Sequence, residues 1–368
     1  MADVDSDEEE QPQVAPVEEP QQPAKEEDTS LANDSVVNKY QEAARIAQAV
    51  LVEVAALCVV GARVVDLCRA GDTLIESKCA LVYKSKVGGK PVDKGVAFPV
   101  CVSVNECVCH CSPLESDSLT PPLALGDLVK IDLGAHVDGY IAVAAHTVRV
   151  GVDGPLTDTV EGPQADVFYA AWAAAEVAAK LIRPGNTNAM VTAAVKRVAE
   201  AYGVNAIAGT LMHQMKRYVI DGSKMILLRE EGERVDPCTF EPFEVYAIDV
   251  AMSTGEGKPR DDNTRTTVHK RVVNQTYDLK IKSSRSFFKE VNRRFPTMPF
   301  SLRSFADEKA AKVGVRECVQ HGLLLPYPAL HEKPGAKIAH VKFTVLLLQG
   351  GTVKVTGLPL PEGYVTTK

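Results

Sequence analysis

Residues 130–148 read KIDLGAHVDGYIAVAAHTV, and this stretch decides the fold. Extended runs at 127–134 and 137–150 predict a pair of neighbouring strands. Asp132 is a carboxylate within the first, mostly apolar run. Val143, in the second run, carries an isopropyl group, which cannot bind a metal. The pair therefore places a potential metal ligand on one strand and an inert side chain on the other.

Further segments each contain a side chain that the family resemblance described below groups with Asp132 in one site. They are 108–113 (VCHCSP) with His110, 211–215 (LMHQM) with His213, 218–222 (YVIDG) with Asp221, 244–250 (EVYAIDV) with Asp249, and 339–347 (AHVKFTVLL) with Lys342. A carboxylate and histidine set of this kind is typical of metal-dependent hydrolases, whereas a lysine is not a metal ligand of that class.

In this order, the segments resemble the metal-binding strands of methionine aminopeptidases. From about Ser35 to about Gly357 the chain is similar in detail to the proliferation-associated, ErbB-receptor-binding proteins, which are relatives of the type 2 enzymes without peptidase activity. The phrases GVAFP (95–99), YVIDG (218–222) and RTT (265–267) match that family better than the enzymes. The resemblance implies an α+β pita-bread fold, in which two half-units share a curved antiparallel sheet covered by helices, plus a helical insert.

The resemblance also implies a role for each polar position. Asp132, His213 and Asp249 stand at metal-ligand positions, with Asp249 in place of the usual Glu. Val143 replaces the second carboxylate and Lys342 replaces the bridging Glu. His110 and Asp221 line the pocket, although type 2 enzymes often carry a histidine at the latter position.

Charge balance predicts that this site holds no metal. Two divalent ions would meet only two carboxylates and one ammonium, and burying such uncompensated charge is costly. The Lys342 ammonium can instead pair with Asp132 or Asp249. We therefore expect no metal, no cofactor and no catalytic residue. A single weakly bound cation at Asp132, His213 and Asp249 is the alternative.

Cysteine usage favours a reducing compartment. The chain has nine cysteines without a disulfide framework. Three of them, Cys107, Cys109 and Cys111, lack the paired spacing of structural zinc sites. Their alternation predicts small core residues on one face of a strand.

The net charge of −7 is unevenly distributed. Residues 1–28 contain eleven acidic residues and one Lys, with four prolines, so residues 1–34 are predicted to be a disordered acidic tail before a pita-bread domain at 35–368. The sequence has no apolar signal region and no 18-residue apolar run, so neither secretion nor a membrane span is expected. Relatives often carry a Lys-rich C-terminal tail, whereas this chain stops at Thr366-Thr367-Lys368. We expect a cytoplasmic protein with a possible nuclear or nucleolar pool.

Residues 275–337 are predicted to form the helical insert, with helices at Ser284–Arg294 and Ser301–Leu325. From Lys258 to Lys312 there are fourteen Lys and Arg residues against six Asp and Glu, a net of +8. Such local positive charge on an acidic protein favours binding to a polyanion. The candidate RNA-binding residues are Lys258, Arg260, Lys280, Lys282, Arg285, Lys289, Arg293 and Arg294. Among them Arg285, Lys289 and Arg293 have the spacing of one helical stripe.

Three functions are consistent with these features. The first is a non-catalytic module that binds the large ribosomal subunit and its RNA, because the resemblance implies that this insert contacts ribosomal RNA near the tunnel exit. Such a module would also bind other structured RNA and protein partners, and it would act in translation and growth control. The second is a residual metal-dependent methionine aminopeptidase. The third is a protein scaffold that uses the altered pocket.

Overall fold

The computed structural model describes residues 28–87, 89–117, 120–231, 234–262 and 264–368. These residues form six α-helices: α1 (Asp34–Leu57), α2 (Val64–Leu81), α3 (Pro163–Leu181), α4 (Asn188–Tyr202), α5 (Lys282–Arg294) and α6 (Glu308–Gln320). The sequence predicts helices from an N-cap near Asn33 to about Val59, from Arg63 into the region 74–82, at 163–182 and at 187–202, and α1 to α4 match these predictions. The helix α1 begins where expected, because the Asn33 side chain accepts a hydrogen bond of 2.9 Å from the Ser35 amide.

The strands of the described residues fall into three sheets. They are β1 (Lys94–Val104), β2 (Cys107–Cys109), β3 (Leu128–Val137), β4 (Tyr140–Arg149), β5 (Asn205–Ala206), β6 (Leu211–Met215), β7 (Met225–Leu227), β8 (Val245–Ser253), β9 (Arg260–Asp261), β10 (Val268–Arg271), β11 (Phe300–Ser301), β12 (Leu324–Tyr327), β13 (Leu330–His331), β14 (Ile338–Leu348) and β15 (Gly351–Lys354). The main sheet has the order β1-β3-β4-β14-β8-β6-β7, with β15 beside β14 and β5 beside β8.

The main sheet is antiparallel throughout and joins two similar halves. The helices α1 and α2 cover β1, β3 and β4, whereas α3 and α4 cover the half that contains β8 and β14. The predicted α+β architecture of duplicated half-units is therefore confirmed. Strand alternation sends Ile131 and Leu133 towards the helices and leaves Asp132 on the opposite face.

A tight turn fixes the register of β3 and β4. Its two central residues, Asp138 and Gly139, both have positive φ angles of 55° and 78°. Positive φ at both positions is the hallmark of the type I′ hairpin turn. A Cβ atom on Gly139 would lie 2.5 Å from the Tyr218 ring, so the position also requires a glycine for space.

The insert has its own small core and differs from the sequence prediction in one respect. The helices α5 and α6 pack around Phe287, Phe300 and Phe305. The predicted helix Ser301–Leu325 is wrong at both ends. Ser301 pairs with Val268 in a strand, and Leu324 pairs with Arg271, so only Glu308–Gln320 is α-helical, with a short 3-10 helix at Leu302–Ser304.

A buried ion pair fastens the insert to the body. The Arg303 guanidinium donates to an Asp72 carboxylate oxygen at 2.6 Å and to the Ser112 hydroxyl at 2.5 Å. Asp72 belongs to α2, and its other oxygen accepts from the Val100 amide at 2.8 Å. One arginine thus connects the insert with α2 and with the segment after β2.

The N-terminal boundary lies earlier than predicted. Residues 1–27, and with them most of the predicted acidic tail, lie outside the described residues. Within 28–34, Leu31 is only 4% exposed and packs in the core with Val36 and Tyr40. The last residues of the predicted tail therefore belong to the folded body. None of the helices in the described ranges is long and apolar enough to cross a membrane.

Candidate functional site

The candidate site is a row of side chains across the middle of the main sheet. Cross-strand pairing places Asp132 opposite Ala145, Ala145 opposite Lys342, and Lys342 opposite Asp249. These four positions share the face that points away from the covering helices. Strand register alone therefore gathers residues that are far apart in sequence.

Lys342 lies at the centre of this row and contacts both carboxylates. Its Nζ atom is 2.9 Å from Asp132 Oδ2 and 2.8 Å from Asp249 Oδ2. Its side chain is 9% exposed, and the ammonium lies 5.5 Å from the centre of the Phe98 ring. Burial lowers the pKa of Lys342, but Asp132 and Asp249 outweigh burial and raise this pKa. The lysine is therefore charged, and its single positive charge is shared by the two carboxylates.

His340 completes the row, and the sequence interpretation missed it. Its Nε2 atom lies 2.7 Å from Asp249 Oδ1, so both oxygens of Asp249 are occupied. Burial raises the pKa of Asp249, but Lys342 and His340 together lower it below its usual value. The sequence spacing could have revealed it, because His340 and Lys342 are two residues apart on β14 and such residues share a face of a strand.

Val143 lies on the same face of the sheet as Asp132 but offers no metal ligand. Its side chain is buried, and its backbone amide donates to the Thr344 hydroxyl at 2.9 Å. Its carbonyl oxygen accepts from the hydroxyls of Thr344 and Thr356. The backbone polar groups of Val143 are therefore hydrogen-bonded to β14 and to the segment after β15.

The side chains next to the row enclose a cavity of about 240 Å³. His110 adopts a φ of 61° at the end of β2, and its Nδ1 atom lies 3.1 Å from the Pro328 carbonyl oxygen. Since a carbonyl can only accept, Nδ1 is the protonated nitrogen. Burial lowers the pKa of His110, which favours the neutral imidazole.

Asp221 lies on another wall of the cavity and is already neutralised. It accepts a hydrogen bond of 2.6 Å from the Tyr327 hydroxyl and another from the Lys270 ammonium. Burial raises its pKa, but His213 and Lys270 outweigh burial and lower it. His213 lines the cavity, where its Nδ1 atom lies 3.4 Å from the Gln214 carbonyl oxygen. Within the described residues it has no hydrogen bond to Asp132 or Asp249, although all three side chains line the same cavity.

The donor set does not fit the two-metal centre that the resemblance implies. The ammonium of Lys342 binds both remaining carboxylates, and Val143 supplies no donor. Only Asp132 Oδ1 is a buried carboxylate oxygen of the row without a partner. Over the described ranges, no group of three or more His, Cys, Asp or Glu residues has metal-binding geometry.

The prediction that Cys107, Cys109 and Cys111 share one strand face is wrong. The strand β2 ends at Cys109, and the left-handed conformation of His110 turns the chain before Cys111. Cys111 nevertheless remains buried, as Cys107 does.

The eight predicted RNA-binding residues divide into three groups. Lys280, Lys282, Lys289 and Arg293 are exposed on α5 or just before it, and no ion pair involves them within the described part of the chain. Arg285 donates to the carbonyls of Leu279 and Lys280, and Arg294 pairs with Glu290 at 2.8 Å. Lys258 and Arg260 lie elsewhere, before and within β9. The free basic face of α5 is thus Lys282, Lys289 and Arg293, because Arg285 is engaged.

The contacts of Asp249 lead us to expect that the protein loses stability when this carboxylate is protonated in acid. The folded pKa of Asp249 lies below its usual 3.8, so the unfolded chain takes up the proton first as the pH falls. Ionised Asp249 therefore stabilises the fold above about pH 4, and this stabilisation disappears at lower pH. Urea unfolding between about pH 5 and about pH 3 should show a smaller pH slope for Asp249→Asn than for the parent. Equal slopes would show that Asp249 is not stabilised by Lys342 and His340.

Comparisons with known proteins place these features in context. Residues 38–259 match the model of metallopeptidase family M24. The chain is 47% identical over 339 residues to ERBB-3 binding protein 1 of Solanum tuberosum, covering 92% of this chain and 85% of that protein. It is 38% identical to the curved DNA-binding protein of Schizosaccharomyces pombe, covering 92% and 87% of the two chains. A solved structure of a thermophilic Arx1 superimposes with a TM-score of 0.84 at 32% identity, covering 91% of this chain and 95% of that one.

Proposed function

The chain belongs to metallopeptidase family M24, in the group of the ErbB-3-binding and proliferation-associated proteins, and we propose that it is a non-catalytic member that binds the large ribosomal subunit and structured RNA. Its fold is the pita-bread fold of that family. We place its action in translation and growth control, mainly in the cytoplasm with a nuclear or nucleolar pool.

One observation carries the non-catalytic part of the proposal. The Lys342 ammonium bridges Asp132 and Asp249, which are the carboxylates that a metallopeptidase would give to its metals. A metallopeptidase needs metal-activated water and electrophilic stabilisation of the oxyanion. An ammonium in that place supplies neither a bound hydroxide nor an open coordination position.

The basic face of α5 supports the RNA-binding part. Lys282, Lys289 and Arg293 are exposed and free of ion pairs within the described residues, so their charge is available to phosphates. Phe287 and Val291 anchor the opposite face of the helix in the insert core. The name of the relative from Schizosaccharomyces pombe, which describes binding to DNA, supports nucleic-acid recognition.

Co-sedimentation with purified large ribosomal subunits tests this function. We expect binding at moderate salt that weakens steeply as salt rises, because bound Lys and Arg residues release condensed counterions. An affinity that does not change with salt concentration would contradict an interface with phosphates. Absence of binding at low salt would favour a scaffold that uses the cavity.

The altered metal site gives a second prediction. The parent chain should not cleave Met-containing peptides with added cobalt, manganese or zinc, because Val143 and Lys342 remove two of the four carboxylates. The double variant Val143→Asp, Lys342→Glu should bind divalent ions in calorimetric titrations, since it restores four carboxylates. Recovery of cleavage is not required, because Asp249 and Asp221 also depart from the enzyme pattern. Turnover by the parent that is lost with chelator and in His213→Ala would contradict the proposal.

A further inference from the structure

An exposed pair of stacked rings lies on the surface of the insert, outside the candidate site. The rings of Tyr277 and His321 have their centroids 3.6 Å apart, and their planes are inclined by only 10°. Tyr277 is nevertheless 36% exposed. Since the imidazole covers one face of the Tyr277 ring, the exposed area of this ring lies on its edges and on its other face.

The end of α6 positions the imidazole. His321 is the first residue after this helix, and its backbone amide still donates to the Glu317 carbonyl at 3.1 Å. Gly322 follows with a φ of 68°, which is the left-handed conformation that commonly ends a helix. The chain therefore turns directly after His321 and leaves the imidazole at the end of α6.

The backbone just after Tyr277 is held by both helices of the insert. The Glu317 carboxylate on α6 is buried and accepts hydrogen bonds from the amides of Lys280 at 2.7 Å and Ile281 at 3.2 Å. The Arg285 guanidinium on α5 donates to the carbonyls of Leu279 at 3.0 Å and Lys280 at 2.7 Å. The side chain of Leu279 is also part of the insert core. The stacked rings thus lie beside a segment that is fixed before any ligand arrives.

The surface next to the rings is positively charged. Lys280 and Lys282 are exposed three and five residues after Tyr277, and no ion pair involves them in the described ranges. Residues 273–289 contain four Lys and Arg residues against one acidic residue, Asp278. Basic side chains beside an aromatic ring with an open face are the combination by which proteins bind single-stranded nucleic acid.

We propose that the stacked pair is a platform on which an unpaired nucleobase of RNA stacks against Tyr277, while Lys280 and Lys282 contact the adjoining phosphates. In a double helix the faces of the bases are covered by their neighbours, whereas loops and bulges offer bases that can stack on aromatic side chains. The ligand is therefore RNA with at least one base outside a duplex. This inference rests on the proposed RNA binding and adds that bases are recognised as well as phosphates.

His321 is the positioning residue of this platform. Its imidazole supports the face of the Tyr277 ring that is turned away from the ligand. A ring that is already supported loses less freedom when a base arrives than an unsupported ring would lose. The bound base would extend the stack of two rings to three.

The test compares two oligomers of equal charge. Fluorescence anisotropy measures the affinity of the full chain for a short, labelled, single-stranded RNA of alternating adenosine and cytidine, and for a matched oligomer of stable abasic sugars. We expect the intact RNA to bind about tenfold more tightly, because stacking of a base on an aromatic side chain contributes an effect of this order. The slopes of log affinity against log salt should be equal, since the same phosphates are neutralised.

Variants assign the preference to the platform. Tyr277→Leu removes the ring without changing the charge, so it should weaken binding of the intact RNA about tenfold and leave binding of the abasic oligomer unchanged. Tyr277→Phe keeps the ring and should bind as the parent does, whereas His321→Leu should reduce the preference by a smaller factor. Tyr202→Leu on α4 is the matched control and should keep the full preference. Melting curves show that each variant is folded, and Tyr277→Gln replaces Tyr277→Leu if the latter is not.

Three results would overturn the platform. Equal affinity of the parent for the two oligomers would do so while leaving an interface with phosphates intact. A preference for the intact RNA that persists in Tyr277→Leu would place the stacked base elsewhere. Binding of neither oligomer would also overturn it, and co-sedimentation with large ribosomal subunits, measured separately, then decides whether the proposed function stands.

Discussion

Replacement of Lys282, Lys289 and Arg293 by Glu should abolish co-sedimentation with large ribosomal subunits at moderate salt. These three side chains form the free basic face of α5. In the proposed function each would contact a phosphate, and charge reversal would turn that attraction into repulsion. Where weak binding survives at low salt, the slope of log affinity against log salt should flatten by about 3 units. The variant should keep its melting temperature, because the core residues Phe287 and Val291 are unchanged.

A matched variant controls for net charge. Lys180, Lys196 and Arg197 are exposed on α3 and α4, and no ion pair involves them among the described residues. Replacing these three by Glu changes the net charge of the protein equally but leaves the insert intact. Equal loss of binding in both variants would point to general electrostatics, and full binding by the α5 variant would move the interface elsewhere.

Lys342→Ala should destabilise the fold by about 3–5 kcal/mol, because it leaves Asp132 and Asp249 buried without their common counter-ion. Lys342→Met should also be destabilising, since it restores volume but no charge. Adding Asp132→Asn and Asp249→Asn to Lys342→Met removes the unpaired charges and should recover most of the loss. Urea unfolding at neutral pH measures all three differences.

The ion pair of Lys354 with Glu176 provides the control. Its Nζ–Oε1 distance is 2.7 Å, but both side chains are about 30% exposed. Pairs of that kind contribute about 0–1 kcal/mol, so Lys354→Met should change little by comparison. Similar unfolding curves for Lys342→Met and the parent would mean that the buried row contributes nothing to stability.

The fold was predictable because several ordered motifs point to the same architecture. Helix periodicity located α1 to α4 well, since their caps and breakers are local features. The segment 301–325 misled the prediction because its helical apolar pattern includes Leu302 and Leu324, which lie beside β11 and within β12. Pairing of these residues with β10 depends on distant sequence, which a local pattern does not contain.

The site was predictable only in part for a related reason. Charge balance pointed to contact between Lys342 and the carboxylates, and the structure brings those groups together; their role as a substitute for metals remains a prediction. His340 was missed because its bond to Asp249 requires the register of β14 against β8.

The guanidinium of Arg303 has a consequence for recognition. Detaching the insert from α2 would break the hydrogen bonds of the buried Arg303 guanidinium to Asp72 and Ser112. The orientation of α5 relative to the sheet is therefore largely fixed when the chain folds. A rigid, correctly aimed surface loses little conformational entropy when a ligand arrives. If this surface binds a polyanion, as proposed, less of the attraction of Lys282, Lys289 and Arg293 would then be offset by the entropy cost of ordering the surface that presents them.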